Sequence, residues 1–98
     1  MTLTLCVSLW PRPGRHAALV DYEDKVLALL PDHDGCLVAR ARAAASAEPG
    51  DGAYETQLIR FDSEEGLASY LADERRAALA GTRDAAIERT GVQRVELI

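Results

Sequence analysis

Cys36-Leu37-Val38-Ala39-Arg40-Ala41-Arg42-Ala43, then Ala47-Glu48-Pro49-Gly50-Asp51-Gly52, then Tyr54-Glu55-Thr56-Gln57-Leu58-Ile59-Arg60-Phe61: the reading of this stretch decides the fold. Its alanines taken alone would suit a helix. The dense proline and glycine signal that follows, and the strand-rich segment beyond it, instead make a β-hairpin of residues 36–45 and 54–61. Along the first of these strands Leu37, Ala39, Ala41 and Ala43 share one face, and Val38, Arg40 and Arg42 the other.

Upstream, Leu3, Leu5, Val7 and Leu9 alternate with Thr4, Cys6, Ser8 and Trp10, so residues 2–10 form a strand with its aliphatics on one side. Pro11-Arg12-Pro13-Gly14 ends it, because proline cannot donate to a ladder. Leu19, Tyr22, Val26, Leu29 and Leu30 then recur at threes and fours opposite Asp21, Asp24 and Lys25. That spacing predicts an amphipathic helix over 15–30, stopped by Pro31 and the Asp32-His33-Asp34-Gly35 turn.

Downstream, Asp62 is the expected cap of a second helix, with Glu65 completing a capping box and Leu67, Tyr70 and Leu71 as the buried stripe. Asp73 reads as a second cap, so the run to Thr90 is expected as a broken helix pair closed by Gly91. A last strand over 92–98 would put Val95 and Leu97 on one face.

The order is β-α-β-β-α-β, the split arrangement of ferredoxin-like α+β folds, with a four-stranded antiparallel sheet and the helices on one face. Right-handed crossovers put the first strand between the third and fourth. At 98 residues the chain is expected to be one domain, 1–98, with a core small enough to gain from oligomerisation. The sheet face away from the helices would carry Thr4, Cys6, Ser8 and Trp10 with Val38, Arg40, Arg42, Arg94, Glu96 and Ile98. Such a mixture suits a partner better than solvent, and it predicts a homodimer through the sheet face.

Eleven basic against sixteen acidic residues give a net charge of -5 without a basic run, which argues against nucleic acid and anionic membrane as partners. The apolar residues 3–9 are interrupted by polar ones and lack signal-peptide flanks, and no stretch nears the ~20 apolar residues of a membrane span. Cytoplasmic residence is the expectation. Cys6 and Cys36 have no Cys-x-x-Cys spacing and read as buried free thiols. No phosphate loop, metal-ligand spacing or nucleophile elbow is present, so no metal or nucleotide is expected.

Of the two histidines, His16 reads as a surface residue, and His33, between Asp32 and Asp34, is the candidate base. The third strand poses a choice. If Ile59 and Phe61 face the helices, Glu55 and Gln57 do too and enter a cleft; if Leu58 does, Tyr54, Thr56 and Arg60 line that side. A cross-strand salt bridge of Glu55 with Arg40 or Arg42 is the competing structural role. Tyr22 and Tyr70 lie on the buried helix stripes and could aim hydroxyls into the cleft, and Trp10 is an interface anchor or a ligand platform.

Leu5-Cys6-Val7-Ser8-Leu9-Trp10 with Pro13-Gly14, Tyr22-Glu23-Asp24, and the run from Tyr54 to Phe61 before Asp62-Ser63-Glu64-Glu65 resemble the dimeric α+β barrel superfamily. Within it the likeness is to small bacterial domains of unknown function labelled antibiotic-biosynthesis-monooxygenase-like. The resemblance implies a homodimer whose sheets form a barrel, with a ligand cleft in each protomer between sheet and helices. It implies activity of the kind some relatives have, as cofactor-free oxygenases, isomerases or haem-degrading enzymes. Haem-degrading relatives use a histidine on the second helix, and residues 63–90 contain none, so no cofactor is expected. Three functions follow. The first is binding of a small aromatic or apolar molecule. The second is a cofactor-free monooxygenase or isomerase acting on an acidic enol or phenol, where His33 or Glu55 removes a proton and Arg40 or a tyrosine such as Tyr22 steadies the anion. The third is a structural homodimer without a ligand.

Overall fold

In the computed structural model, which describes residues 2–44 and 50–98, four strands form one antiparallel sheet in the spatial order β2-β3-β1-β4. They are β1 (Leu3–Pro11), β2 (Gly35–Arg42), β3 (Glu55–Phe61) and β4 (Ile87–Val95). Helix α1 (His16–Leu27) and a 3-10 turn (Leu30–His33) join β1 to β2. Helices α2 (Glu64–Leu71), α3 (Glu74–Ala77) and α4 (Ala80–Ala86) join β3 to β4. The fold is ferredoxin-like α+β, with β1 between β3 and β4 as the element order requires. Ala45 and the loop residues Ala47, Glu48 and Pro49 lie outside the described residues.

The shortest of the 38 × 35 × 17 Å extents is that of two layers, one sheet and one layer of helices. Leu3, Leu5 and Leu9 of β1 and Ile59 and Phe61 of β3 face the helices and pack in two clusters. One gathers Leu27, Leu30 and Tyr70, the other Leu19, Tyr22, Val26 and Ile87, and the half-buried Val7 touches both. The choice left open for β3 falls to the first alternative: Glu55 and Gln57 share the inner face with Ile59 and Phe61, at 0% and 1% exposure.

Several expectations need correction. In β2, Leu37 pairs with Ile59 but Ala39 pairs with Leu58, so Val38 is an extra residue. Such a bulge exchanges the faces of everything beyond it. Arg40 and Arg42 consequently stand opposite Gln57 and Glu55 on the inner face, and not outside with Val38. The bulge thereby brings two guanidinium groups to a buried carboxylate that needs them.

The last strand starts at Ile87, five residues before its predicted beginning, because β1 is paired along Thr4–Pro11 and Pro11 itself stands opposite Ile87. Gly91 lies inside this strand. It pairs with Ser8 on the outer face beside the Trp10 ring, where a Cβ would make only ordinary contact at 3.7 Å, and it does not end a helix. Arg94 pairs with Leu5 and turns inward, whereas Val95 pairs with Thr4 on the outer face, the reverse of the predicted facing. Glu96 and Ile98 lie beyond the strand. At α2 the cap is Ser63, whose hydroxyl accepts from Gly66 N at 3.0 Å, one residue after the expected Asp62. Asp73 caps α3 as predicted, accepting from Arg75 N at 2.7 Å. The cysteines are free but not buried: Cys36 is exposed and Cys6 half-buried, since both sit on the outer sheet face.

Candidate functional site

A cavity of about 520 Å³ lies between the sheet and the helices. It exists because the second crossover is broken. Helix α3 is a single turn with no buried residue, so the helical layer does not close over the edge strand, and Val92 of β4 stays 61% exposed on the inner face. Leu5, Val7, Leu9, Ile59 and Val92 make an apolar floor. Tyr22, Glu23 and Val26 of α1 and Leu67, Tyr70 and Leu71 of α2 form the walls. Three arginines complete the lining: Arg76 of α3, Arg83 of α4 and Arg94 of β4.

The cavity has one polar inner wall. Gln57 Nε2 donates to Glu23 Oε1 at 2.8 Å and to Glu55 Oε2 at 2.6 Å. Glu55 also accepts from Arg40 Nε at 2.8 Å and Arg42 Nε at 2.9 Å, and Arg40 Nη1 donates to Asp24 at 2.6 Å. Burial would raise the Glu55 carboxyl, but the hydrogen bonds from Arg40, Gln57 and Arg42 prevail and hold it below the ordinary range. Burial pushes the Glu23 carboxyl up against the Gln57 hydrogen bond, and the Glu55 charge adds to the rise. Two carboxyls on one amide are thus driven in opposite directions. Glu55 is a fixed anion, and Glu23, on the cavity wall, is the one suited to hold or exchange a proton.

The tyrosines differ from one another in what they can offer. Tyr70 donates its hydroxyl to the Val26 carbonyl at 3.0 Å, and burial pushes it up to about 12, so it presents a ring to the cavity and no acid. Tyr22 is also raised by burial, against the nearby Arg76 charge. Arg76 stacks over the Tyr70 ring at 4.6 Å. Arg94 is held by both oxygens of Glu64, and Arg83 donates to Thr90 Oγ1 at 3.0 Å with Asp84 3.6 Å away.

Of the residues singled out in the sequence, Tyr22, Gln57 and Tyr70 line the cavity, Glu55 stands one hydrogen bond behind Gln57, and Arg40 lies beyond Glu55. His33 is not part of the lining. The Ser69 hydroxyl donates to the Gly66 carbonyl at 3.0 Å and accepts from His33 Nδ1 at 2.7 Å, while Nε2 meets Asp73 Oδ2 at 2.7 Å. His33 therefore ties the 3-10 turn to α2 and to the cap of α3. Trp10 lies on the opposite sheet face, where alternation along β1 puts every even-numbered residue; its Nε1 donates to the Asp51 carbonyl at 2.8 Å and Arg89 covers its ring at 3.9 Å. His16 is exposed, edge-on to Tyr54 at 4.6 Å.

Glu23, Arg76, Arg83 and Arg94 were not anticipated. For Glu23 a signal existed: the buried positions 19, 22, 23, 26, 27 and 30 form one stripe at helical spacing, and a glutamate on that stripe has to be buried. Arg75 and Arg76, adjacent in sequence, part company. Arg75 turns to Asp73 and Asp32 and Arg76 to the cavity, a divergence that no spacing encodes. Among the described residues no group of three or more His, Cys, Asp or Glu is placed to hold a metal ion. Among the described residues no helix is long and apolar enough to cross a membrane.

No protein-family model and no curated protein matches the chain. Solved structures do. A protein of unknown function from Rhodopseudomonas palustris superposes with a TM-score of 0.77 at 14% identity, over 99% of this chain and 82% of that one. One from Nitrosomonas europaea, also of unknown function, gives 0.65 at 25% identity, over 99% and 89%. A Bacteroides fragilis protein described as dimeric, of unknown function and with a ferredoxin-like fold, gives 0.69 at 12% identity, over 98% and 96%. The chain thus has the fold of small ferredoxin-like proteins of unknown function.

Proposed function

We propose that this protein binds a small, partly apolar molecule in the cleft of each protomer of a homodimer. The cavity carries the reading. Interiors close-pack, yet about 520 Å³ stays open here over an apolar floor with a few converging polar groups, within the range of small-ligand pockets. The dimer has separate support. Register puts Thr4, Cys6, Ser8, Trp10, Leu58, Arg60, Gly91 and Gln93 on the sheet face away from the described helices. There Cys6, Ser8 and Gly91 are small enough to let a second sheet approach and Trp10 and Leu58 offer it apolar surface, and the Bacteroides fragilis protein is described as dimeric.

A panel of small aromatic and aliphatic compounds tests the reading by thermal shift and calorimetry. At least one is expected to raise Tm and to bind saturably, and Val92→Trp, which fills the cavity from its exposed edge, is expected to abolish that binding. No binder in such a panel would count against the cleft as a ligand site. Light scattering at micromolar concentration is expected to return twice the 10.6 kDa chain mass, and a monomer mass would remove the dimer.

The opposed carboxyls favour a second reading, a cofactor-free oxygenase or isomerase acting on an acidic enol or phenol, in line with the resemblance to antibiotic-biosynthesis-monooxygenase-like domains. Here Glu23 takes the hydroxyl proton of the substrate, the O–H bond breaking as a carboxyl O–H forms. Gln57 holds Glu23, and Glu55 with Arg40 holds Gln57. Oxygen uptake with naphthols and enols, lost in Glu23→Gln without loss of binding, is the expected result; uptake unchanged in that variant would rule the role out.

A further inference from the structure

Resting on the reading of the cleft as a ligand site, we propose that its ligand is an amphipathic anion, an apolar body bearing one carboxylate, and that Arg76 anchors the carboxylate. The chain as a whole repels anions, with a net charge of -5, so an anion site has to be made locally. The cavity lining does this: three arginines face it against one carboxyl, Glu23. Two of the three are already engaged, Arg94 by both oxygens of Glu64 and Arg83 by Thr90 and Asp84.

Arg76 is different. Among the described residues no carboxylate lies within ion-pair distance of it, and its Nε is buried without a hydrogen-bond partner. A buried donor left unmade costs free energy, which an incoming acceptor recovers. Stacking on Tyr70 at 4.6 Å holds the guanidinium plane in place beforehand, and a planar fork suits a carboxylate better than a point charge does. Glu23, the one carboxyl on the lining, is turned to the Gln57 amide at 2.8 Å on the inner wall, and burial raises it. The apolar body has its own surface: Leu71 and Val92, both on the lining, are 58% and 61% exposed, large aliphatic groups that a ligand would cover.

An isosteric pair, 2-naphthoate and 2-naphthamide, separates charge from shape. Calorimetry on the full chain at pH 7 and physiological salt is expected to give the acid roughly tenfold or more the affinity of the amide. Arg76→Met, which keeps the stem and removes the charge, is expected to bring the acid down to the amide while the amide stays within about twofold of native, which also reports that the variant is folded. Arg15→Met, on the exposed cap of α1, controls for net charge and should leave both affinities unchanged. If the amide binds as tightly as the acid, or if Arg76→Met keeps the preference, the anion proposal falls and the cleft reading survives. If neither compound binds, the anion proposal falls, and the cleft reading is decided by the wider panel of aromatic and aliphatic compounds. The native comparison decides alone should Arg76→Met not fold.

Discussion

Glu23 and Glu55 are joined through the two hydrogens of a single amide, Gln57 Nε2 lying 2.8 Å from one carboxylate and 2.6 Å from the other. Arg40 makes a second link between the same two elements nearer the surface, donating to Asp24 of α1 and to Glu55 of β3. Gln57→Leu keeps the volume and removes the amide, leaving a buried carboxyl without its partner. Stability measured by urea denaturation is expected to fall by about 2 to 3 kcal/mol.

The two carboxyls should give opposite pH signatures. Glu23 is raised in the folded state, so it binds more protons folded than unfolded; its contribution is complete below the ordinary carboxyl value of 4.5 and is lost as pH rises through the folded value. Glu55 is lowered, so its contribution is present above the ordinary value and lost as pH falls through the folded one. Glu23→Gln is therefore expected to gain stability relative to native as pH is raised from about 4 to 8. Glu55→Gln should cost about 3 kcal/mol at pH 7, because Arg40 and Arg42 lose their partner, and the cost should shrink in acid. Melting curves of the three proteins from pH 8 down into acid well below the ordinary carboxyl value test both signs.

The fold was legible because each element announces itself locally. Alternation in β1, the three-and-four spacing of α1 and the Pro49-Gly50 signal between β2 and β3 are properties of a few adjacent residues. The cleft was legible only in part. Tyr22, Gln57 and Tyr70 sit on periodic stripes and could be placed, but the bulge at Val38 answers to Glu55, which is 17 positions away in sequence and adjacent only across the hairpin. Likewise β4 begins early to satisfy the full length of β1, a demand from the far end of the chain that its own residues, Glu88-Arg89-Thr90-Gly91, do not declare. His33 looked like a base because its sequence neighbours are aspartates; its actual partners, Ser69 and Asp73, come from α2 and the cap of α3.

That placement makes His33 a test of structure against chemistry. His33→Ala removes two hydrogen bonds and is expected to cost about 1 to 2 kcal/mol, a fall in Tm of roughly 4 to 16 °C for a domain of this size. Asp73, held low by Arg75 and by His33, should move up toward the ordinary range in the variant, an effect visible by carboxyl NMR titration. Ligand affinity should stay within about twofold of native, since His33 does not line the cavity. An affinity loss with an unchanged Tm would return His33 to the site.

The same junction contains the tightest backbone approach among the described glycines. A Cβ on Gly66 would stand 2.5 Å from the His33 carbonyl oxygen, a main-chain atom of the 3-10 turn that cannot swing aside as a side chain would. Gly66→Ala must push α2 away from the turn, and it is expected to lose about 2 to 3 kcal/mol. Gly81 is the contrast. It lies in α4 with nothing within 4 Å of its would-be Cβ, so Gly81→Ala gains helix propensity without a clash and should stabilise by about 0.5 to 1 kcal/mol. Opposite signs for one substitution at two helical glycines, read by thermal melts, would show that contact between α2 and the turn, and not helix propensity, sets the position of α2 over the cleft. Equal effects at both would deny it.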